Sequence, residues 1–398
     1  MKKIVLIFSF ALILRLGFLA FWYQTGQGER ISSDAYGYLN IATSLNEGEG
    51  FRLNGELTAR RPPLYPAWIA FFLRFSSFPL GVQMGDALLG ALSCVFLYGI
   101  GKELFNRKVG LISAGILAVD YISIRQIVSV MSETLFVAFL LLSFYCLTIA
   151  RKRKSDIGFF GAGFFGGLSL LTREVLILYF PILAVWIYFQ RDNVWKGRVL
   201  QTVFFLAGLM LSAGPWVVRN SFLYHHFVPI TTTAGHTFYI ANNPKTTGGS
   251  TGGAWEWDRD SYLPRDSGMK LFAPETDYGL FKKGMDFICR NPWLSIRLSI
   301  RKILNTWRPY QTDSSRSSRW ITGGQYILIV ILAFWGIIKT LDKWPKLIPF
   351  YLLLLYVFSL HAILIAEIRY RYPVMPFMML FAALGLASIL EKRSNLAA

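Results

Sequence analysis

The stretch Ser32-Ser33-Asp34-Ala35-Tyr36-Gly37-Tyr38 and the later Arg60-Arg61-Pro62-Pro63-Leu64-Tyr65-Pro66 bring a lone carboxylate, a pair of guanidiniums and several phenols into one loop. The first lies just past an apolar run that ends near Tyr23, and the second just before the chain turns apolar again. A reacting hydroxyl needs a carboxylate or imidazole beside it to take its proton. An anionic leaving group needs fixed positive charge. The loop carries both. Further ionisable groups mark the ends of later apolar runs: Glu133 opens one, Arg173-Glu174 joins two, and Glu367-Ile368-Arg369-Tyr370-Arg371 precedes the last. Each alone reads equally well as a salt-bridged helix turn or a head-group anchor. At one common depth they outline a cavity lined with charge. Its excess of positive charge suits an anionic substrate, and a phosphate on a membrane lipid is the obvious one.

The elements that must hold these residues follow from composition. The chain has 398 residues, of which 54% are hydrophobic and 16% charged, against roughly 25% charged in a soluble domain. Several apolar runs approach or exceed the roughly 18 residues that span a bilayer. An all-α polytopic membrane protein is predicted. Lys and Arg outnumber Asp and Glu by 41 to 23, for a net charge of +18. In a soluble protein that balance would point to nucleic acid. Here the excess lies in short loops between apolar runs, where it anchors the cytoplasmic side and meets lipid head groups. Cys94, Cys146 and Cys289 show no metal-ligand spacing, and Cys94 and Cys146 fall inside predicted spans, so no outer disulfide is expected.

Loops rich in Lys and Arg recur at every second turn of the chain between apolar runs. Met1-Lys2-Lys3 precedes an uncleaved first span (about 4–23) that puts the N-terminus in the cytoplasm and Asp34 outside. Arg15 within it should face the protein interior or snorkel. A short helix is predicted over 36–45, and an interfacial or re-entrant helix over 64–75. Further spans are expected at about 82–100, 109–122, 134–149, 157–171, 175–189, 199–217, 326–338, 347–366 and 373–390. Lys102, Arg107, Lys108, Arg151-Lys152-Arg153-Lys154, Lys196, Arg198, Lys339, Lys343 and Lys346 mark the inside. The pattern closes at about ten transmembrane helices with both ends cytoplasmic. The chain thus divides into an N-terminal transmembrane module at 1–218, with its first outer loop at 24–81, an extracytoplasmic region at 219–322, and C-terminal transmembrane helices at 323–398. Within 278–307, apolar residues recur at helical spacing among Lys282, Lys283, Arg290, Arg297, Arg301 and Lys302, as in basic amphipathic helices on a membrane surface.

The motifs resemble a known family. Ser33-Asp34-Ala35-Tyr36-Gly37-Tyr38, Arg61-Pro62-Pro63-Leu64-Tyr65-Pro66, Met131-Ser132-Glu133-Thr134-Leu135-Phe136, Leu171-Thr172-Arg173, Pro215-Trp216-Val217-Val218-Arg219-Asn220 and Arg369-Tyr370-Arg371-Tyr372-Pro373-Val374-Met375-Pro376 occur in order. Together they are similar to the GT-C glycosyltransferases that include protein O-mannosyltransferases and the lipid A aminoarabinose transferase, over nearly the whole chain. The resemblance implies a GT-C type fold with outer-face interfacial helices, in the inner membrane of a prokaryote, its active site extracytoplasmic. It implies an inverting transfer of a hexosyl or pentosyl group from a polyprenyl-phosphate sugar to an acceptor hydroxyl on a lipid, protein or glycan. On that reading Asp34 is the base, while Arg60, Arg61, Arg173, Arg369 and Arg371 hold the donor phosphate. Tyr36, Tyr38, Tyr65, Glu133, Arg219, Asn220 and Tyr370 then line the substrate pocket. Many members carry a second acid directly after the first, where this chain has Ala35, so no obligatory metal is expected, although a divalent ion could bind with help from the phosphate.

A lipid-linked glycan transporter or flippase shares the many spans and the basic cavity, but transporters place their sites near the bilayer midplane. A glycan polymerase or ligase would need its key residues within 219–322. For an assembly factor Asp34 would be incidental. Trp255, Trp257, Trp307 and Tyr310 read either as shaping a sugar pocket or as interface anchors, and the second is the plainer reading.

Overall fold

A chain can cross lipid only if its backbone groups bond within the segment, so apolar runs of this length must be helical. The computed structural model describes residues 2–28, 30–190, 195–249, 273–310 and 316–397. The first helix, α1 (Lys2–Gln24), is followed by α2 (Ser33–Asn46), a hairpin of β1 (Arg52–Leu53) and β2 (Glu56–Leu57), and α3 (Leu64–Leu73). Then come α4 (Leu80–Leu104), α5 (Arg107–Val119), α6 (Tyr121–Gln126), α7 (Glu133–Arg153), α8 (Asp156–Leu170), α9 (Tyr179–Phe189) and α10 (Trp195–Tyr224). Short helices α11 (Ala234–Ala241), α12 (Pro274–Arg290) and α13 (Pro292–Thr306) precede α14 (Arg316–Ile338), α15 (Trp344–Ile363) and α16 (Met375–Ala397).

Among the described residues, seven helices are long and apolar enough to cross a membrane, or eight if the bent pair α5–α6 counts as one broken span. Three shorter apolar segments, α3, α8 and Glu174–Phe189, accompany them, and with the last two the count agrees with the roughly ten spans expected. The bend of 51° in the broken span falls at Asp120, whose carboxylate accepts from the Ser123 N–H at 2.8 Å and so starts a new helix instead of continuing the old one. Helices α4, α7 and α16 are the most enclosed of the spans, whereas α1, α10, α14 and α15 lie at the periphery. Arg15 is buried, donating to the carbonyls of Ala11 and Leu117. It therefore faces the interior.

Two crossings are set by glycine pairs. A Cβ on Gly163 would fall on the Phe205 carbonyl, and one on Gly208 would fall on that of Phe160, so α8 and α10 touch backbone to backbone. Gly336 and Gly385 do the same for α14 and α16. Without a hydrophobic force between helices in lipid, such close approach is a main source of association. At one end of the bundle the basic loops meet: Lys102 and Lys152 both pair with Glu103, Lys108 pairs with Glu391, and Arg151 donates to the Lys346 carbonyl. The loops carrying the charged motifs gather at the other end.

Helices α10 and α14 run past the apolar stretches that predicted them, at 199–217 and 326–338. Hydropathy reports only the part at lipid depth, while the helix continues into polar sequence. The hairpin was not foreseen, although Asn54-Gly55 with φ of 52° and 81° is the turn that joins two strands tightly. Gly163→Val should place a branched side chain against backbone that cannot move aside, at a cost of about 1–3 kcal/mol or more. The expected outcome is a lower melting temperature of the detergent-solubilised protein. An unchanged melting curve would show that α8 and α10 are not held this closely.

Candidate active site

The charged end of the bundle contains a cavity of about 210 Å³. Asp34 enters it from the first turn of α2, which is capped by Ser32, whose hydroxyl accepts from the Asp34 N–H at 3.3 Å. A carboxylate there is favoured by the positive end of the helix. Asp34 Oδ1 meets Arg61 Nη2 at 2.7 Å, and its Oδ2 meets Arg369 Nη1 at 3.2 Å. Arg369 also pairs through Nε with Glu367. Burial works to raise the Asp34 pKa, but the two guanidiniums outweigh it and hold the carboxyl below its ordinary value. Burial raises the pKa of Glu367, against the pull of Arg369.

A second layer holds these groups. Tyr38 lies under the Arg61 guanidinium, 4.9 Å from its carbon, and its hydroxyl approaches Ser132 Oγ at 3.4 Å. Ser132 accepts from Arg173 at 3.1 Å, and Arg173 pairs with the buried Glu133 at 2.8 Å. Arg173 and Arg369 both face the Tyr370 ring, at 5.9 and 5.2 Å. Val130, immediately before this turn, is buried with φ of 49°. A β-branched residue in the left-handed region is strained, and the surrounding packing must impose it. That kink turns the chain so that Met131 reaches the cavity wall.

The cavity brings together most of the site residues predicted from sequence: Asp34, Tyr38, Arg60, Arg61, Arg173, Arg369 and Tyr370 line it. Others stand elsewhere. Glu133 lies behind the wall as the partner of Arg173. Tyr65 is buried and donates to Asp86 at 3.1 Å, packing edge-on against Tyr38. Arg219 donates to the Thr58 carbonyl and to Asn220, while Asn220 donates to the Ile230 carbonyl, so this pair staples the first outer loop to α10. Tyr36 is exposed and faces a separate cleft. Arg371 is turned away altogether. Its guanidinium lies 3.6 Å from the Tyr326 ring centre and donates to the carbonyls of Thr306, Arg308 and Pro309. Trp307 packs on Phe358 and Tyr310 lies under Arg319, neither of them on the cavity wall. Trp255 and Trp257 lie outside the described residues.

Some lining residues went unassigned in the sequence. Glu174 borders the cavity, accepts from Thr233 at 3.5 Å, and keeps Oε2 buried without a hydrogen-bond donor. His361, at the end of α15, is buried and stacks on Tyr370 with ring centres 5.4 Å apart. Thr237 comes from α11, whose first N–H groups, at Gly235 and His236, donate to Asp277 of α12. The only available signal for His361 was a lone imidazole at the end of an apolar run. In all, the wall carries the guanidiniums of Arg60, Arg61, Arg173 and Arg369 against the carboxylates of Asp34 and Glu174. This excess of positive charge fits an anion.

The overall fold is that of the GT-C membrane glycosyltransferases. The Archaeoglobus fulgidus oligosaccharyltransferase in its apo form superimposes with a TM-score of 0.61 at 12% identity, covering 98% of this chain and 51% of that one. The same archaeal enzyme, AglB, in complex with an inhibitory peptide and a dolichol-phosphate gives a TM-score of 0.61 at 13% identity, covering 98% and 50%. ArnT from Cupriavidus metallidurans bound to undecaprenyl phosphate gives 0.56 at 13% identity, covering 97% and 60%. This chain thus spans about half the length of the archaeal enzyme. Residues 60–217 match the family model of dolichyl-phosphate-mannose-protein mannosyltransferases, and the resemblance carried by the ordered motifs is borne out. A comparison with curated proteins finds no match.

The archaeal enzyme has also been solved in complex with Zn and sulfate. Here the donor set does not fit a divalent ion, which prefers several carboxylate oxygens. Both oxygens of Asp34 already face guanidiniums, and the next position is Ala35, which is fully buried and offers no ligand. Among the described residues no three His, Cys, Asp or Glu side chains converge.

Arg371→Ala would leave the carbonyls of Thr306, Arg308 and Pro309 without their donor, at about 1–3 kcal/mol for each group that stays buried. A clear drop in melting temperature is therefore expected. A variant as stable as the parent would show that these contacts carry no stability.

Proposed function

We propose that the protein is a glycosyltransferase that moves a sugar from a polyprenyl-phosphate donor to an acceptor hydroxyl, with inversion. The observation that carries this reading is the Asp34 carboxylate, held between Arg61 and Arg369 in a cavity with excess positive charge. The similarity to proteins solved with dolichol-phosphate and undecaprenyl phosphate supports a lipid-phosphate ligand. A polymerase or ligase reading draws less support, since region 219–322 lends the cavity wall only Thr233 and Thr237 among its described residues.

The step is a single displacement. The acceptor oxygen attacks the anomeric carbon, the bond from that carbon to the phosphate oxygen breaks, and the polyprenyl phosphate leaves with the electron pair. Asp34 takes the acceptor proton. Positioned base catalysis contributes roughly a hundred- to ten-thousand-fold. The arginines compensate the charge that develops on the phosphate. In the free protein Asp34 is a weak base, because both of its oxygens are ion-paired. A phosphate entering the cavity competes for the same guanidiniums, and Asp34 becomes more basic as they turn to the donor. Proton abstraction is thereby tied to an occupied donor site.

Asp34→Asn keeps the shape but cannot take a proton, and it no longer competes for the arginines. Transfer should fall by at least about a hundredfold, while undecaprenyl phosphate binds more tightly. Arg369→Ala should instead weaken that binding tenfold or more, the equivalent of a lost charge-assisted contact of roughly 1.5–3 kcal/mol. Binding isotherms and transfer assays on purified protein read both. Near-parental transfer by Asp34→Asn would remove it as the base.

The basic end of the bundle is assigned to the cytoplasm of a prokaryotic cell, and the charged cavity to the outer face of its inner membrane. With Cys289→Ser as background, a cysteine at position 54 in the hairpin turn should react with a membrane-impermeant maleimide in intact cells. One at position 152 should not. The reverse labelling would invert the topology and put the active site inside.

A further inference from the structure

Beside the charged cavity lies a second, larger cleft of about 710 Å³, within the roughly 300–1,000 Å³ typical of ligand pockets. The two share Asp34, Arg60 and Arg61, so the carboxylate stands at their junction. One wall is a stripe of α2 and its C-cap: Tyr36, Asn40, Thr43 and, just past the helix end, Glu47 recur at helical spacing and are all exposed. The facing wall is the hairpin with the segment leading into it. Asn40 Oδ1 accepts from the Asn54 N–H at 2.9 Å, tying the hairpin turn to the helix. Arg52 donates to the Glu49 carbonyl at 2.9 Å and to the Gly55 carbonyl at 2.7 Å, which locks the opposite rim. The cleft is therefore built before any ligand enters.

Its chemistry differs from that of the cavity. Carboxylates of Glu47 and Glu49, amides and hydroxyls dominate the lining, with Tyr36 as an exposed ring at 62% and with few aliphatic groups. A lipid chain would find too little apolar wall. Arg60 and Arg61 stand at the end shared with the cavity, whereas the charged groups beyond them are Glu47 and Glu49, which disfavour an anionic head group there. A saccharide fits. Adjacent hydroxyls satisfy a carboxylate's several acceptor positions and the amide groups, and the apolar face of a sugar ring can lie on a phenol ring. We propose that this cleft is the acceptor subsite and that the acceptor is a saccharide chain, one of whose hydroxyls reaches Asp34 through the shared wall. The proposal rests on the glycosyltransferase reading and names its acceptor class.

The test uses the full chain, purified in detergent, on an array carrying bacterial and simple oligosaccharides beside Ser/Thr-rich peptides. Undecaprenyl phosphate binding is measured in parallel. Binding to a subset of saccharides is expected, weakened tenfold or more by Glu47→Gln and abolished by Thr43→Tyr, which fills the cleft from an exposed position. Melting curves identify any variant that fails to fold. Binding of undecaprenyl phosphate with no saccharide bound, or with peptides bound instead, overturns the saccharide cleft and leaves the glycosyltransferase reading in place. Saccharide binding that both variants leave unchanged also overturns it. Saccharide binding that is lost in the variants, from a protein that ignores undecaprenyl phosphate, supports the cleft and removes the donor reading.

Discussion

The Asp34 carboxylate shared by Arg61 and Arg369 joins residues 335 positions apart in the chain. It cannot form until the first outer loop and the turn before the last helix are side by side. Asp34, Arg61 and Arg369 are each only about a quarter to a third exposed. Charges so far out of water are costly unless paired. The pairing extends outwards: Arg369 to Glu367, Arg61 over Tyr38, Tyr38 to Ser132, and Ser132 to Arg173 and Glu133. The loops at this end are thus held by one polar network, and the bundle beneath them is the scaffold that brings its members into register.

That scaffold was largely legible in the sequence. The spacing of apolar runs and the placement of basic loops gave the spans, and the ion pairs among Lys102, Glu103, Lys152, Lys108 and Glu391 now gather the basic loops at one end. What hydropathy could not report was helix beyond lipid depth, as in α10 and α14, or the break at Asp120, where one local hydrogen bond competes with helix continuation. The Asn54-Gly55 turn was readable from its residue types alone.

The site was legible as a set of motifs but not as a set of roles. Arg369 and Arg371 look equivalent in Arg369-Tyr370-Arg371, yet they lie in a tight helical turn over Ile368–Val374. With about three residues per turn, positions two apart point in different directions. Arg369 therefore reaches Asp34, while Arg371 caps backbone carbonyls. Arg219 and Asn220 likewise belong to a motif whose contacts hold the loop that carries Arg60, without reaching the cavity themselves. Glu174 was visible only as the neighbour of Arg173 and was given no role, and His361 lacked any pattern, because its relevance comes only from being brought beside Tyr370 in space.

The joint between cavity and cleft bears on the proposed reaction. If transfer inverts by single displacement, the attacking oxygen and the departing phosphate must lie on opposite sides of the anomeric carbon. One pocket holding both reactants would have to orient them internally. Two recesses meeting at a carboxylate supply that geometry in advance, which is the main benefit of positioning reactants. The division of charge follows the same line, with arginines crowding the smaller recess and Glu47 and Glu49 standing in the larger one. An anionic donor and an uncharged acceptor would therefore sort themselves by electrostatics before either reaches Asp34. Arg60 and Arg61, common to both recesses, mark where those two fields meet.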